Sequence, residues 1–152
     1  MKTIEQQNQL MALHWPDFSV SERSTDVISW TGHLRGIDRE YLIKIWHRDF
    51  VFGMDPKWQF PRVQVLYPYL QPNPRATEER PLPHVYFHPN DLTLSPLCLF
   101  DPEQNEWSHA DYIALTTVKW SADWLACYEG WLATGRWYGG GRHQGEQLRD
   151  AA

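Results

Sequence analysis

At 152 residues with 42% hydrophobic content, the chain is long enough for one domain whose core needs no disulfide or metal to hold it. Its formal charge of −5, from 14 basic and 19 acidic residues, with no Lys/Arg cluster, argues against a nucleic-acid backbone as partner and suits a basic or peptide one. Two cysteines in unlike settings argue against a disulfide framework. With no apolar core in MKTIEQQNQL and no run of eighteen apolar residues, the chain reads as a cytoplasmic protein without a membrane partner.

The first element is a short, weakly amphipathic helix from Ile4 to Leu13. Ile4, Met11 and Trp15 share its apolar side, Pro16 ends it, and it is expected to cap a sheet edge. Three strands follow by alternation: Val27 to Leu34, Tyr41 to His47 and Arg62 to Tyr67, the order of an antiparallel meander. Between Pro68 and Pro83 lie five prolines and the charged run Arg75 to Arg80, which predict an exposed, extended loop without regular structure. From Ser121 the period becomes 3.6. Trp124, Leu125, Tyr128, Trp131 and Leu132 make one apolar stripe, with Ser121 as N-cap and Gly135 as the stop of a helix packed on the sheet. The predicted fold is α+β, a single domain over 1–140, and the polar remainder, 141–152, reads as a flexible tail.

Chemistry concentrates in HVYFHPNDLTLSPLCLF, His84 to Phe100, where a His-Pro-Asn tripeptide precedes Cys98 and the separation from Asn90 is eight residues. Cysteine forms a thioester and leaves it again easily, as passage of an acyl group between carriers requires. The turn-rich stretch ahead of Cys98 is expected to hold its backbone near the surface of a shallow groove. Asn90 is the candidate assistant, either donating its amide to the oxyanion that forms when an amine attacks the thioester or ordering the loop. His88 can act as a base or hydrogen-bond the loop backbone, and His84 is either a second imidazole of the chemistry or a satisfied structural residue. Cys127, on the flank of the last helix's stripe, reads as packing, as do Trp107 beneath the cysteine loop and most of Trp120, Trp124, Trp131 and Trp137. No Cys-x-x-Cys or His-Glu-x-x-His spacing supports a metal, and Gly139 to Gly141 lack the surroundings of a phosphate loop, so no cofactor is expected.

The ordered set PRV at Pro61 to Val63, HPN at His88 to Asn90, LCLF around Cys98 and Trp107-Ser108 resembles ubiquitin-conjugating enzymes from about Trp30 to the last helix. LPHVY, KWSADWLACYEGWLATGRW and GGGRH look like the prokaryotic branch of that superfamily, found in the CBASS anti-phage systems. The chain departs from the eukaryotic pattern in a longer stretch between PRV and HPN and in a single long helix after Trp107, so eukaryotic partner surfaces do not carry over. The resemblance implies a ubiquitin-conjugating-enzyme-like fold, an antiparallel meander flanked by an N-terminal and a long C-terminal helix. It also implies Cys98 as thioester carrier, Asn90 as its assistant and a structural His88. The partner it implies is the C-terminus of a cGAS-like nucleotidyltransferase; because the chain shows no ATP-binding motif, the activated carboxyl would come from a separate activating protein or by a route the sequence does not reveal. A non-catalytic adaptor of the same fold, binding the partner's tail, is the alternative. A metal- or carbohydrate-binding module would rest on composition alone.

Overall fold

A computed structural model describes residues 1–55, 58–88, 90–101 and 104–139; the predicted tail at 141–152 lies outside them. Helix α1 spans Ile4–His14 and opens with a capping box, in which the Thr3 hydroxyl accepts from Gln6 N and the Gln6 side chain accepts from Thr3 N. The buried Gln7 amide ties α1 to the far end of the chain, donating to Asp111 O and accepting from Ile113 N. The helix meets the sheet through Trp30 Nε1, which donates to Asn8, and through an Arg23–Glu5 ion pair.

The sheet has four strands, not three, in the order β1 (Ser19–Arg23), β2 (Val27–Arg35), β3 (Glu40–Arg48) and β4 (Arg62–Tyr67), all antiparallel. β1 escapes the alternation rule because every residue of SVSER is exposed; it is an edge strand with a register shift between Val20 and Glu22. On the inner face, Ile28, Trp30 and Leu34 of β2 meet Tyr41, Ile43 and Ile45 of β3 and Val63 and Val65 of β4, all buried. Complete burial of side chains such as Ile28, Ile43 and Ile45 stabilises the fold by roughly 1.5–3 kcal/mol each. At Gly32 the Phe18 ring occupies the space a side chain would take, 2.6 Å from the position of a Cβ.

Helix α2 spans Thr117–Thr134 and ends as predicted at Gly135, which takes the left-handed conformation (φ 76°) and donates to Trp131 O. Its start differs from the predicted N-cap. The helix begins one turn earlier, behind a 3₁₀ turn at Ile113–Leu115, and Ser121 is buried inside it with its hydroxyl donating to Thr117 O.

The stretch between Pro68 and Pro83 has no helix or strand, as expected, but it is not a free loop. Leu70, Asn73, Ala76 and Leu82 are buried. Asn73 donates to Trp131 O and Leu132 O, Tyr128 Oη accepts from Gln71 N, and Trp131 Nε1 donates to Glu78 O. Proline prevents ladder bonds, so the strap satisfies its backbone against α2 instead.

Candidate active site around Cys98

Beyond the strap the chain doubles back on itself. Val85 and Leu97 form an isolated antiparallel bridge, flanked by Tyr86 N donating to Pro96 O (2.8 Å) and Cys98 N donating to His84 O (2.9 Å). Leu97 N also donates to Val63 O, which fastens this ribbon to β4. Side chains alternate along such a pair. Val85 and Leu97 turn into the core, which leaves His84, Tyr86 and Cys98 on the opposite face.

That face meets a cavity of about 610 Å³ whose wall includes Cys98, His84 and Cys127, the acidic residues Asp101, Glu106 and Asp123, and Trp120, Trp124 and Trp137. Helix α2 contributes Trp120, Asp123, Trp124 and Cys127, a stripe at helical spacing beside the core stripe. Trp124 Nε1 donates to His84 O (3.0 Å), so the helix is pinned to the residue that also accepts from Cys98 N. Asp101 N donates to Glu106 (2.8 Å), which draws the two acidic residues of the cysteine loop together.

The Cys98 thiol is half-buried, and burial pushes it above the usual thiol range. The Tyr86 hydroxyl opposes that shift, while the carboxylates of Asp101 and Glu106 add to it. The thiol's own contact is a long one, to Phe100 O at 3.8 Å. Tyr86 is pushed well above the ordinary phenol range by burial first and by the charge of Cys98 next. Cys127 is raised by burial and by Asp123.

His84 is buried, holds a left-handed backbone (φ 41°), stacks on Trp137 at 4.8 Å and pairs through Nε2 with Glu79 at 3.3 Å. Glu79 is also left-handed (φ 61°). Two non-glycine residues so held cost on the order of 1–3 kcal/mol each, a strain found where geometry serves a site.

The residues singled out in the sequence therefore separate into two groups. Cys98 and His84 share the cavity wall. Asn90 and His88 lie on the preceding turn, outside the cavity wall. Asn90 is exposed, and His88 Nδ1 accepts from Asn90 N and Asp91 N at 3.3 Å each, with His88 N donating to Ser95 Oγ. Asp91 caps the 3₁₀ turn at Leu92–Leu94, and its bonds with Thr93 hold its carboxyl below the usual range. Trp107 is buried and stacks on Phe100, two residues after the cysteine, as expected of a plug beneath that loop. Trp124 and Trp131 are core, while Trp120 and Trp137 are only partly buried. Cys127, read as packing, faces the same cavity as Cys98. Sequence reasoning passed over Tyr86, Asp101, Glu106 and Asp123; the alternation of His84 and Tyr86 about Val85 was the available signal for the first. Among the described residues no three His, Cys, Asp or Glu side chains converge as metal ligands would.

A half-buried thiol on a loop beside an antiparallel meander, in an α+β domain with a helix at each end, is an arrangement compatible with an E2-like protein. The sequence matches the family model of the Type II CBASS E2 protein over residues 7–144, and the chain belongs to that family. Its partners are accordingly sought within a CBASS system. No curated protein matches the sequence. No helix among the described residues is long and apolar enough to cross a membrane.

Proposed function

We propose that the protein is a thioester-forming transferase of a CBASS system. Cys98 accepts the C-terminal carboxyl of a cGAS-like nucleotidyltransferase, activated by a separate protein, and passes it to an amine. The observation that carries this reading is the position of Cys98, a thiol fixed by its own backbone bond to His84 O and opening on a cavity beside three acidic residues. Carboxylates there attract a protonated amine and take up the proton it sheds on attack. His84, oriented by Glu79, is the imidazole on the same wall. Asn90 and His88 order the turn that delivers the cysteine, and Asn90 can reach the oxyanion if that turn moves.

The raised thiol favours a second reading, a non-catalytic adaptor that binds the partner's tail, because nucleophilic cysteines usually have lowered pKa values. An acyl carrier differs from a protease in what it asks of sulfur. A more basic thiolate is the better nucleophile once formed, and a thiol held protonated does not react prematurely with other electrophiles.

The test is to mix the protein with the nucleotidyltransferase and the activating protein of its system and to look for a covalent adduct on gels. We expect an adduct cleaved by neutral hydroxylamine, which opens thioesters but not disulfides, and absent in Cys98→Ala. An adduct that survives Cys98→Ala sinks the proposal, and an undiminished anti-phage effect of Cys98→Ser in cells selects the adaptor.

A further inference from the structure

We propose that Tyr86 is a catalytic residue of the Cys98 reaction, its phenol O–H donating a hydrogen bond to the sulfur as the thiolate attacks and again as it leaves. The inference rests on the acyl-transfer reading above. Its first support is the ribbon. The Val85–Leu97 bridge puts Tyr86 and Cys98 on one face, a diagonal step apart, with Tyr86 N fixed to Pro96 O. The Phe60 ring packs against that of Tyr86, with centroids 6.0 Å apart.

The second support is a donor whose polar neighbour in the resting protein is the Cys98 thiol, a weak acceptor. The Tyr86 hydroxyl is buried and makes no hydrogen bond of ordinary geometry among the described residues, yet it stands close enough to the Cys98 sulfur to act on its ionisation. A buried polar group left without a partner is costly, and its retention calls for a ligand or a charge that arrives later. A thiol is a poor acceptor and a thiolate a good one, so ionisation of Cys98 supplies the missing partner. The weak contact of the thiol with Phe100 O leaves the sulfur lone pairs open to Tyr86. Burial keeps the phenol protonated, and it therefore donates a hydrogen bond without giving up its proton.

In loading, the Cys98 thiol gives its proton to the carboxylates lining the cavity and on to water, and the thiolate attacks the carbonyl carbon of an activated acyl group; the S–C bond forms, the bond from that carbon to the departing carrier breaks, and the carrier keeps the electron pair. In discharge, an amine nitrogen attacks that carbon, the C–N bond forms and the C–S bond breaks. The electron pair returns to sulfur, where the Tyr86 O–H meets it, and the proton lost by the amine passes to the carboxylates lining the cavity and then to water. No atom changes oxidation state.

The experiment uses the Cys127→Ala protein, so that Cys98 is the only thiol, and compares it with the same protein carrying Tyr86→Phe. Iodoacetamide alkylation against pH reads the ionisation of Cys98 directly. Single-turnover release from Cys98, loaded with a short peptide α-thioester and discharged to butylamine, reads the leaving step. We expect Tyr86→Phe to shift the alkylation profile to higher pH, to slow alkylation at pH 7.5 by roughly fivefold or more, and to slow discharge similarly. A ring-fluorinated tyrosine at position 86, a stronger donor of nearly the same size, is expected to shift the profile the other way, and it decides the matter if Tyr86→Phe does not fold. Profiles that superimpose overturn the proposal, as does a shifted profile with an unchanged discharge rate. A shifted profile in a protein that never loads Cys98 overturns the acyl-transfer reading and the catalytic role with it, while the Tyr86–sulfur bond stands.

Discussion

Cys98 carries a thiol whose surroundings hold it protonated, chiefly through burial and then through Asp101 and Glu106. The sign of the consequence is fixed. With the thiol above its ordinary range, the thiolate fraction at neutral pH lies below that of a free cysteine, and alkylation of Cys98 should go on rising with pH where an unperturbed thiol has levelled off. Removing a neighbouring negative charge should help the thiolate. In a Cys127→Ala background, Asp101→Asn is therefore expected to speed alkylation by iodoacetamide at pH 7.5, by roughly threefold to tenfold. A rate unchanged or lowered by that substitution would mean that Asp101 does not act electrostatically on the sulfur.

At the scale of elements, one side chain of α2 holds the β2–β3 turn. The Glu129 carboxylate accepts from the backbone N–H groups of Ile37, Asp38 and Arg39 and from the Tyr41 hydroxyl. Hydrogen bonds to a charged group are each worth about 1.5–3 kcal/mol when buried and less where water competes. Glu129→Ala is expected to lower stability by about 2–3 kcal/mol, several degrees in Tm by thermal unfolding, without moving Cys98. The same helix fastens the strap of residues 68–83 and the His84 carbonyl. Its position therefore determines both how the sheet is covered and what faces the cysteine.

For the molecule as a whole, His47 links folding to acid. Its ring is fully buried beside Trp107 and His109, and neither ring nitrogen has a hydrogen-bond partner among the described residues. Burial, then the nearby His109, lowers its pKa to about 3 from an ordinary 6.5. Between those values the unfolded chain binds a proton that the folded protein refuses. Stability is thus complete above pH 6.5 and declines as the pH falls toward 3, by an amount on the order of a few kcal/mol. His47→Leu, close in volume and without polar atoms to satisfy, is expected to match or exceed the native Tm at pH 7 and to lose less stability between pH 6.5 and 4. An equally steep acid decline in that variant would assign the pH dependence to other groups.

Legibility followed range along the chain. The last predicted strand, Arg62 to Tyr67, matches β4, the two other predicted strands fall within a residue or two of β2 and β3, and Gly135 ends α2, because periodicity and a left-handed stop are properties of a few adjacent residues. β1 was hidden because an exposed edge strand has no inner face to mark it. Ser121 misled because a serine that bonds back to Thr117 O looks in sequence like a cap. The sequence by itself determined the α+β order, the meander and the place of Cys98 eight residues after Asn90. Only the tertiary structure decided which groups surround the thiol. Tyr86 reaches it through the doubling back of residues 84–86 on 96–98, and Asp123 and Cys127 join the same cavity by the laying of α2 across that ribbon. Convergence of this kind depends on contacts between segments far apart in the chain, where no local pattern of residue types records it.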